Sequence, residues 1–154
     1  MNIEEKKPIR FEDIENKDCF VTTSYLSGTN SALSTEYGVF FIARFPCEII
    51  AVSEVHSTAG TNAGSVNVNI EKLTGTEALD SGLEVLVSPF DLKGTINTVS
   101  NKSGVDLQNT KLKPGDRLAL KDSGTLTSVA GVCITIYMKY LNMGNYRVNN
   151  SIIS

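Results

Sequence analysis

The sequence predicts an all-β fold, an antiparallel β-sandwich of eight to ten short strands. Three observations lead there. Apolar residues recur at period two in one segment after another. Turn signals punctuate the chain at roughly ten-residue intervals, the spacing of an antiparallel sandwich or barrel. No stretch shows the long amphipathic helices that a parallel α/β fold would need between its strands. A jelly roll is the first expectation and an immunoglobulin-like sandwich the second. The latter's Cys…Trp…Cys pattern is absent, because the chain has no tryptophan.

The clearest element is the stretch from Lys111 to Leu141. Pro114-Gly115-Asp116 reads as a turn, since proline presets φ and glycine accepts conformations closed to other residues. Arg117 to Lys121 alternates, with Leu118 and Leu120 on one face. Asp122-Ser123-Gly124 reads as the next turn. Val132, Ile134, Ile136, Met138 and Tyr140 then fall at period two, with Cys133, Thr135, Tyr137 and Lys139 between them. That pattern is a long strand with one face in a core.

Taken from the start, residues 1–19 form a charged N-terminal arm. Six acids and four bases fall within the first 18 positions, and Pro8 breaks any long helix there. Phe11 and Ile14, three apart with Arg10 beside them, are the arm's candidate anchors on a partner. Residues 20–141 form the β domain. Phe20–Leu26 reads as a strand, and Ser27–Ser31 as a loop. Gly38–Phe45 reads as a central or covered strand, because both of its faces are apolar. Glu48–His56 and Ser65–Leu73 follow, the second with Val66, Val68 and Ile70 inward and Asn67, Asn69 and Glu71 outward. A helical turn is expected at Glu77–Leu79, then strands at Leu83–Val87, Thr95–Ser100 and Val105–Leu112, with a turn at Asn101–Gly104. Residues 142–154 are an Asn-rich C-terminal tail.

Bulk composition excludes several function classes. A net charge of -3, without a basic cluster, does not fit a nucleic-acid footprint. No run of 18 apolar residues is present, so no helical membrane span is expected. The N-terminus lacks the apolar core of a secretory signal, which places synthesis in the cytoplasm. Cys19, Cys47 and Cys133 are odd in number and contain no CxxC pair, so neither a disulfide framework nor a zinc site is expected. Cys47 and Cys133 read as small buried hydrophobes.

Catalytic chemistry is not visible. The sole histidine, His56, has no G-x-S-x-G nucleophile near it and reads as a surface residue. Glu54, Glu71, Glu84 and Asp91 are candidates for paired carboxylates, but their spacing selects no pair and solvent faces are where they belong. Asp116 and Asp122 fit turns, where aspartate bonds backbone amides. Neither a P-loop nor an EF-hand spacing is present, and no cofactor or metal is expected. Tyr25, Tyr37, Tyr137, Tyr140 and Tyr146 are the candidates for stacking on a sugar, which makes a carbohydrate-binding module or receptor-binding tip the alternative to a structural role.

One resemblance goes further. Phe90-Asp91-Leu92 with Gly94-Thr95, Asn97-Thr98-Val99, the run Pro114 to Leu120, Gly124 to Thr127, and Gly131-Val132 before an alternating last strand resemble tailed-phage virion proteins. Ile49 to Val52, Ala59-Gly60-Thr61 and Val66, Val68 and Ile70 fit the same pattern, so the likeness spans roughly residues 38–141. It implies a small non-enzymatic β domain of the head-decoration or head-fibre type. The implied location is the capsid surface of the virion, and the implied partners are the major capsid protein or other virion proteins. It also implies a homo-oligomer, with a trimer favoured. On this reading Arg10, Phe11 and Ile14 contact the capsid, and Tyr137, Lys139 and Leu141, on the outer side of the last strand, meet a neighbouring subunit.

Overall fold

The computed structural model describes residues 19–26 and 38–141. Arg10, Phe11 and Ile14, the loop at 27–31, Tyr37, and the tail with Tyr146 lie outside the described residues.

Among the described residues ten strands form two antiparallel sheets: β1 Cys19–Leu26, β2 Val39–Ile42, β3 Cys47–Val55, β4 Val66–Leu73, β5 Leu83–Glu84, β6 Phe90–Asp91, β7 Ser100–Ser103, β8 Lys111–Leu112, β9 Arg117–Gly124 and β10 Val132–Tyr140. Sheet A has the order β1-β10-β3-β7, with β8 also on β3. Sheet B has the order β2-β9-β4-β5, with β6 also on β4. Strands therefore alternate between the sheets, except that β5 and β6 stay beside β4 and β8 follows β7 on β3. This is the jelly-roll order, with two of its eight positions each split into short pieces, β5 with β6 and β7 with β8.

The long strands form where the alternation is cleanest. Val132, Ile134, Ile136 and Met138 of β10 point inward and are fully buried. They meet Ile49 and Val52 of β3, and across the sandwich Val66, Val68 and Ile70 of β4 with Leu118 and Leu120 of β9. Each such side chain contributes about 1.5–3 kcal/mol when removed from water. β3 carries a bulge: Tyr137 pairs with Ala51 but Met138 pairs with Ile49, which leaves Ile50 without a partner on β10. The turn at Pro114-Gly115-Asp116 forms as expected. Gly115 has φ 94°, and the Asp116 carboxylate accepts the Lys113 N–H at 2.8 Å.

Other local expectations fail. Asp122-Ser123-Gly124 is not a turn but the end of β9, paired with Val66–Val68. Gly124 is needed there, because its φ is 88° and a Cβ would sit 1.7 Å from the Ser65 carbonyl oxygen. Asn101–Ser103, expected in a turn, belongs with Ser100 to strand β7 on β3. Pairing with Ala51–Glu54 outweighs the polar composition. Thr95–Val99 turns instead, with Asn97 at φ 56° and its N–H on the His56 carbonyl at 2.8 Å. Val105–Leu112 is a 3-10 turn at Gly104–Asp106 followed by the two residues of β8. Of Leu83–Val87 only β5 is strand. Glu77–Leu79 is not helical; the turn lies before it at Gly75-Thr76, closed by the Glu77 carboxylate accepting the Thr74 N–H at 2.6 Å. Among the described residues β2 is neither central nor covered; it is an edge strand paired with β9 alone, and Ile42 is 60% exposed.

Candidate interaction surface

The outer face of sheet A is built by the residues that alternate with the core. The register arranges them in rows across the sheet. Val21 of β1, Tyr137 of β10, Ala51 of β3 and Ser103 of β7 form one row. Thr23, Thr135, Ser53 and Asn101 form the next, and Tyr25, Cys133 and Val55 the third. Thr23 and Thr135 share a hydroxyl hydrogen bond at 3.3 Å, and the Ser53 hydroxyl donates to Asn101 Oδ1. These three rows contain no ionisable carboxylate, amine or guanidinium. The first charges appear at the rim, where Lys139 Nζ meets Glu48 Oε2 at 3.1 Å. Val21, Tyr25 and Tyr137 are the exposed apolar members. A recess of about 230 Å³ lies among Tyr137, Thr135, Ser53, Asn101 and Val99.

The outer side of sheet B is different. Asn67, Asn69 and Glu71 point outward as expected, but the segment after β4 folds over them. Glu71 is fully buried and accepts the N–H groups of Asp80 at 2.7 Å and Gly82 at 2.9 Å. Asn69 donates to the Leu86 carbonyl and accepts the Leu86 N–H, at 3.1 and 3.0 Å. Lys121 pairs with Glu84 at 3.5 Å. This side is charged and already covered. The outer face of sheet A is uncharged and open.

Of the residues expected at a subunit contact, Tyr137 stands on that open face and Lys139, two residues on, at its charged rim. Leu141 lies just past the end of β10, with its N–H on the Pro46 carbonyl at 2.8 Å. Cys133 belongs to the outer face and is half-buried, not a core residue. Cys47 is buried, and burial, with Asp116 nearby, pushes its thiol up to about 11.

Two further features escaped sequence reasoning. One is an aromatic hollow of about 170 Å³ at the end of the sandwich where β1 begins and β10 ends. Phe20 and Tyr140 stack there with centroids 4.4 Å apart. Phe41 lies 6.0 Å from Phe20, and Phe45 meets Tyr140 edge-on at 6.1 Å. Ile42, Arg44 and Cys47 complete the lining. The other is His56, expected on the surface and found 2% exposed. Its Nδ1 lies 2.8 Å from Oε1 of Glu54, which is equally buried, and its Nε2 lies 3.4 Å from the Gly94 carbonyl. Burial raises the Glu54 carboxyl above its ordinary value, and the contact with His56 offsets part of that rise. Glu54 and Glu71 are thus interior groups. Each is held by its own partners, and the two are not a carboxylate pair in a cleft. Among the described residues, no cluster of three or more His, Cys, Asp or Glu is placed to hold a metal ion.

No family model matches the chain, and no curated protein matches it. Among solved structures, a chain from Bacillus endospore appendages, described as a novel family of disulfide-linked pili, aligns at a TM-score of 0.39 with 11% identity. The alignment covers 80% of this chain and 88% of that one. A likeness this slight carries no argument about function.

Proposed function

We propose that the chain is a non-enzymatic structural subunit that associates with copies of itself through the outer face of sheet A. The observation that carries this reading is the set of three uncharged rows around Tyr137, set against a charged and covered face on sheet B. An uncharged sheet face lined by Tyr and Val matches the composition of interface cores, which are depleted in charge and enriched in aromatics. Many copies on a repeating lattice then gain avidity from weak individual contacts. The sequence resemblance gives this assembly a setting, the surface of a phage capsid, where the subunit decorates the lattice or stands as a head fibre. In that setting Arg10, Phe11 and Ile14 are the capsid contacts, and Tyr137, Lys139 and Leu141 the subunit contacts, in a trimer.

Light scattering on the intact chain tests self-association, and co-sedimentation with phage heads tests the setting. A strict monomer at high concentration would sink the assembly reading. Unchanged co-sedimentation of a Phe11→Asp, Ile14→Asp double variant would sink the anchor.

A second reading, a carbohydrate-binding surface, is favoured by the recess beside Tyr137. It sets an exposed phenol ring next to the hydroxyl and amide groups of Ser53, Thr135 and Asn101. Sugar sites combine an aromatic platform with convergent polar groups. Glycan binding that disappears in Tyr137→Ala while the oligomer persists would select it.

A further inference from the structure

The aromatic hollow leaves part of the rings of the half-buried Phe20, Phe41, Phe45 and Tyr140 accessible beside the exposed Ile42, a concave apolar seat with room for a side chain. We infer that it is the seat of this chain's own N-terminal arm, taken up by the segment from Phe11 to Glu15. Two features of the chain select that occupant.

The first is reach. The arm enters the described structure at Cys19, and the next residue, Phe20, is a wall of the hollow. Five residue steps separate Ile14 from Cys19, about 17 Å of extended chain. Asn16 and Asp18, residues that favour turns, lie within that span and suit a reversal back over the hollow. A segment tethered this closely has a millimolar-scale effective concentration, which favours it over a free competitor.

The second is charge. The walls Phe20, Phe41, Phe45 and Tyr140 are apolar, and the one charged residue in the lining is Arg44, which is exposed and in none of the ion pairs among the described residues. The segment Phe11-Glu12-Asp13-Ile14-Glu15 offers two apolar anchors and three carboxylates with no base among them. The C-terminal tail also leaves the domain beside the hollow, after Leu141, but residues 142–154 contain an arginine and no acid. By charge, the Arg44 cation favours the acidic segment over the tail.

The seat deepens the assembly reading, since it holds the residues assigned there to capsid contact in the free subunit and releases them on the particle. It stands independently of the capsid setting: that setting fails in co-sedimentation, whereas the seat fails in the spectra that follow.

The chain has no tryptophan, so Phe11→Trp and, separately, Ile14→Trp each give the intact protein a single reporter. The expected result is emission blue-shifted from that of free tryptophan amide and acrylamide quenching weakened several-fold, both unchanged on dilution. Adding Arg44→Glu should restore solvent-like emission and quenching while circular dichroism and the thermal midpoint stay as they were. Solvent-like emission from both reporters overturns the seat. Protection that fades on dilution assigns the hollow to the arm of a second copy and overturns it too. Protection unaffected by Arg44→Glu places the arm elsewhere, with the same consequence.

Discussion

Glu54, on the inner side of β3, and His56, just past the strand's end, meet inside the sandwich with Oε1 and Nδ1 2.8 Å apart and each residue 2% exposed. The Gly94 carbonyl at 3.4 Å from Nε2 calls for a proton on that nitrogen, since a carbonyl only accepts. One further proton then lies along the contact between Nδ1 and Oε1, on either atom. The pair ties the end of β3 to the segment after β6, and the His56 carbonyl holds the Asn97 N–H of the same segment.

Removing half of this pair is expected to cost more than replacing it. His56→Ala leaves a buried carboxyl group without its partner and should lose about 3 kcal/mol in urea unfolding. Glu54→Gln keeps a donor for Nδ1 and removes the ionisable group. Burial raises the folded-state value of Glu54 above the ordinary 4.5, so its favourable contribution is complete below that value and is lost as pH rises through the folded one. The stability of the parent relative to Glu54→Gln should therefore fall as pH climbs from 4.5 toward neutrality. A difference that is flat with pH, or that rises, would count against the buried assignment.

Gly124 gives a sharper test of backbone geometry. At φ 88°, with the Ser65 carbonyl oxygen 1.7 Å from where a Cβ would stand, Gly124→Ala must displace the start of β4 or the end of β9. A loss of roughly 3 kcal/mol is expected. Gly75→Ala is the control. Gly75 also has positive φ, at 50°, but nothing lies within 4 Å of the added methyl group, so about 1 kcal/mol is expected. Equal losses at the two sites would mean that the close approach to Ser65 contributes nothing.

These residues also mark how far the sequence could be read. The alternation in β10 and β4 placed their core faces correctly, because period two reports burial of one face directly. It also placed Asn69 and Glu71 on the outer side, but not under cover, because the segment that buries them has no period of its own. Asn101–Gly104 looked like a turn, since the strand character of Asn101–Ser103 comes from β3, which is distant in sequence. His56 looked superficial because the polar loop after it hid the inward direction that its alternation with Glu54 and Val52 gives. The open face of sheet A was legible as outward-facing residues around Tyr137. Its lack of charge across three strands became visible only with the register.

That register yields a prediction about assembly. Thr135 lies at the centre of the uncharged rows, and its side chain contributes to the fold through one exposed hydrogen bond to Thr23. Thr135→Lys should change unfolding stability by no more than about 0.5 kcal/mol. Two or three copies of the face would then bring like charges together, and the mass measured by light scattering should fall toward that of one chain. Lys121→Thr, on the charged outer side of sheet B, should leave the mass unchanged. A mass unaffected by Thr135→Lys would move the contact to another surface.

The stacked rings of Phe20 and Tyr140 separate two roles of the aromatic hollow. With centroids 4.4 Å apart and planes inclined by 24°, they join the first residues of β1 to the last of β10, where Cys19 pairs with Lys139. Each ring also touches a second partner, Phe41 for Phe20 and Phe45 for Tyr140, so single alanine variants mix several losses. A double-mutant cycle isolates the direct term, expected at about 0.5–1.5 kcal/mol in urea unfolding. A coupling within error of zero would make the rings bystanders in stability. The hollow would then be a surface kept open for an occupant and not a clamp on the edge strand. A coupling in the expected range makes it both, because among the described residues β1 is the edge of sheet A and pairs with β10 alone.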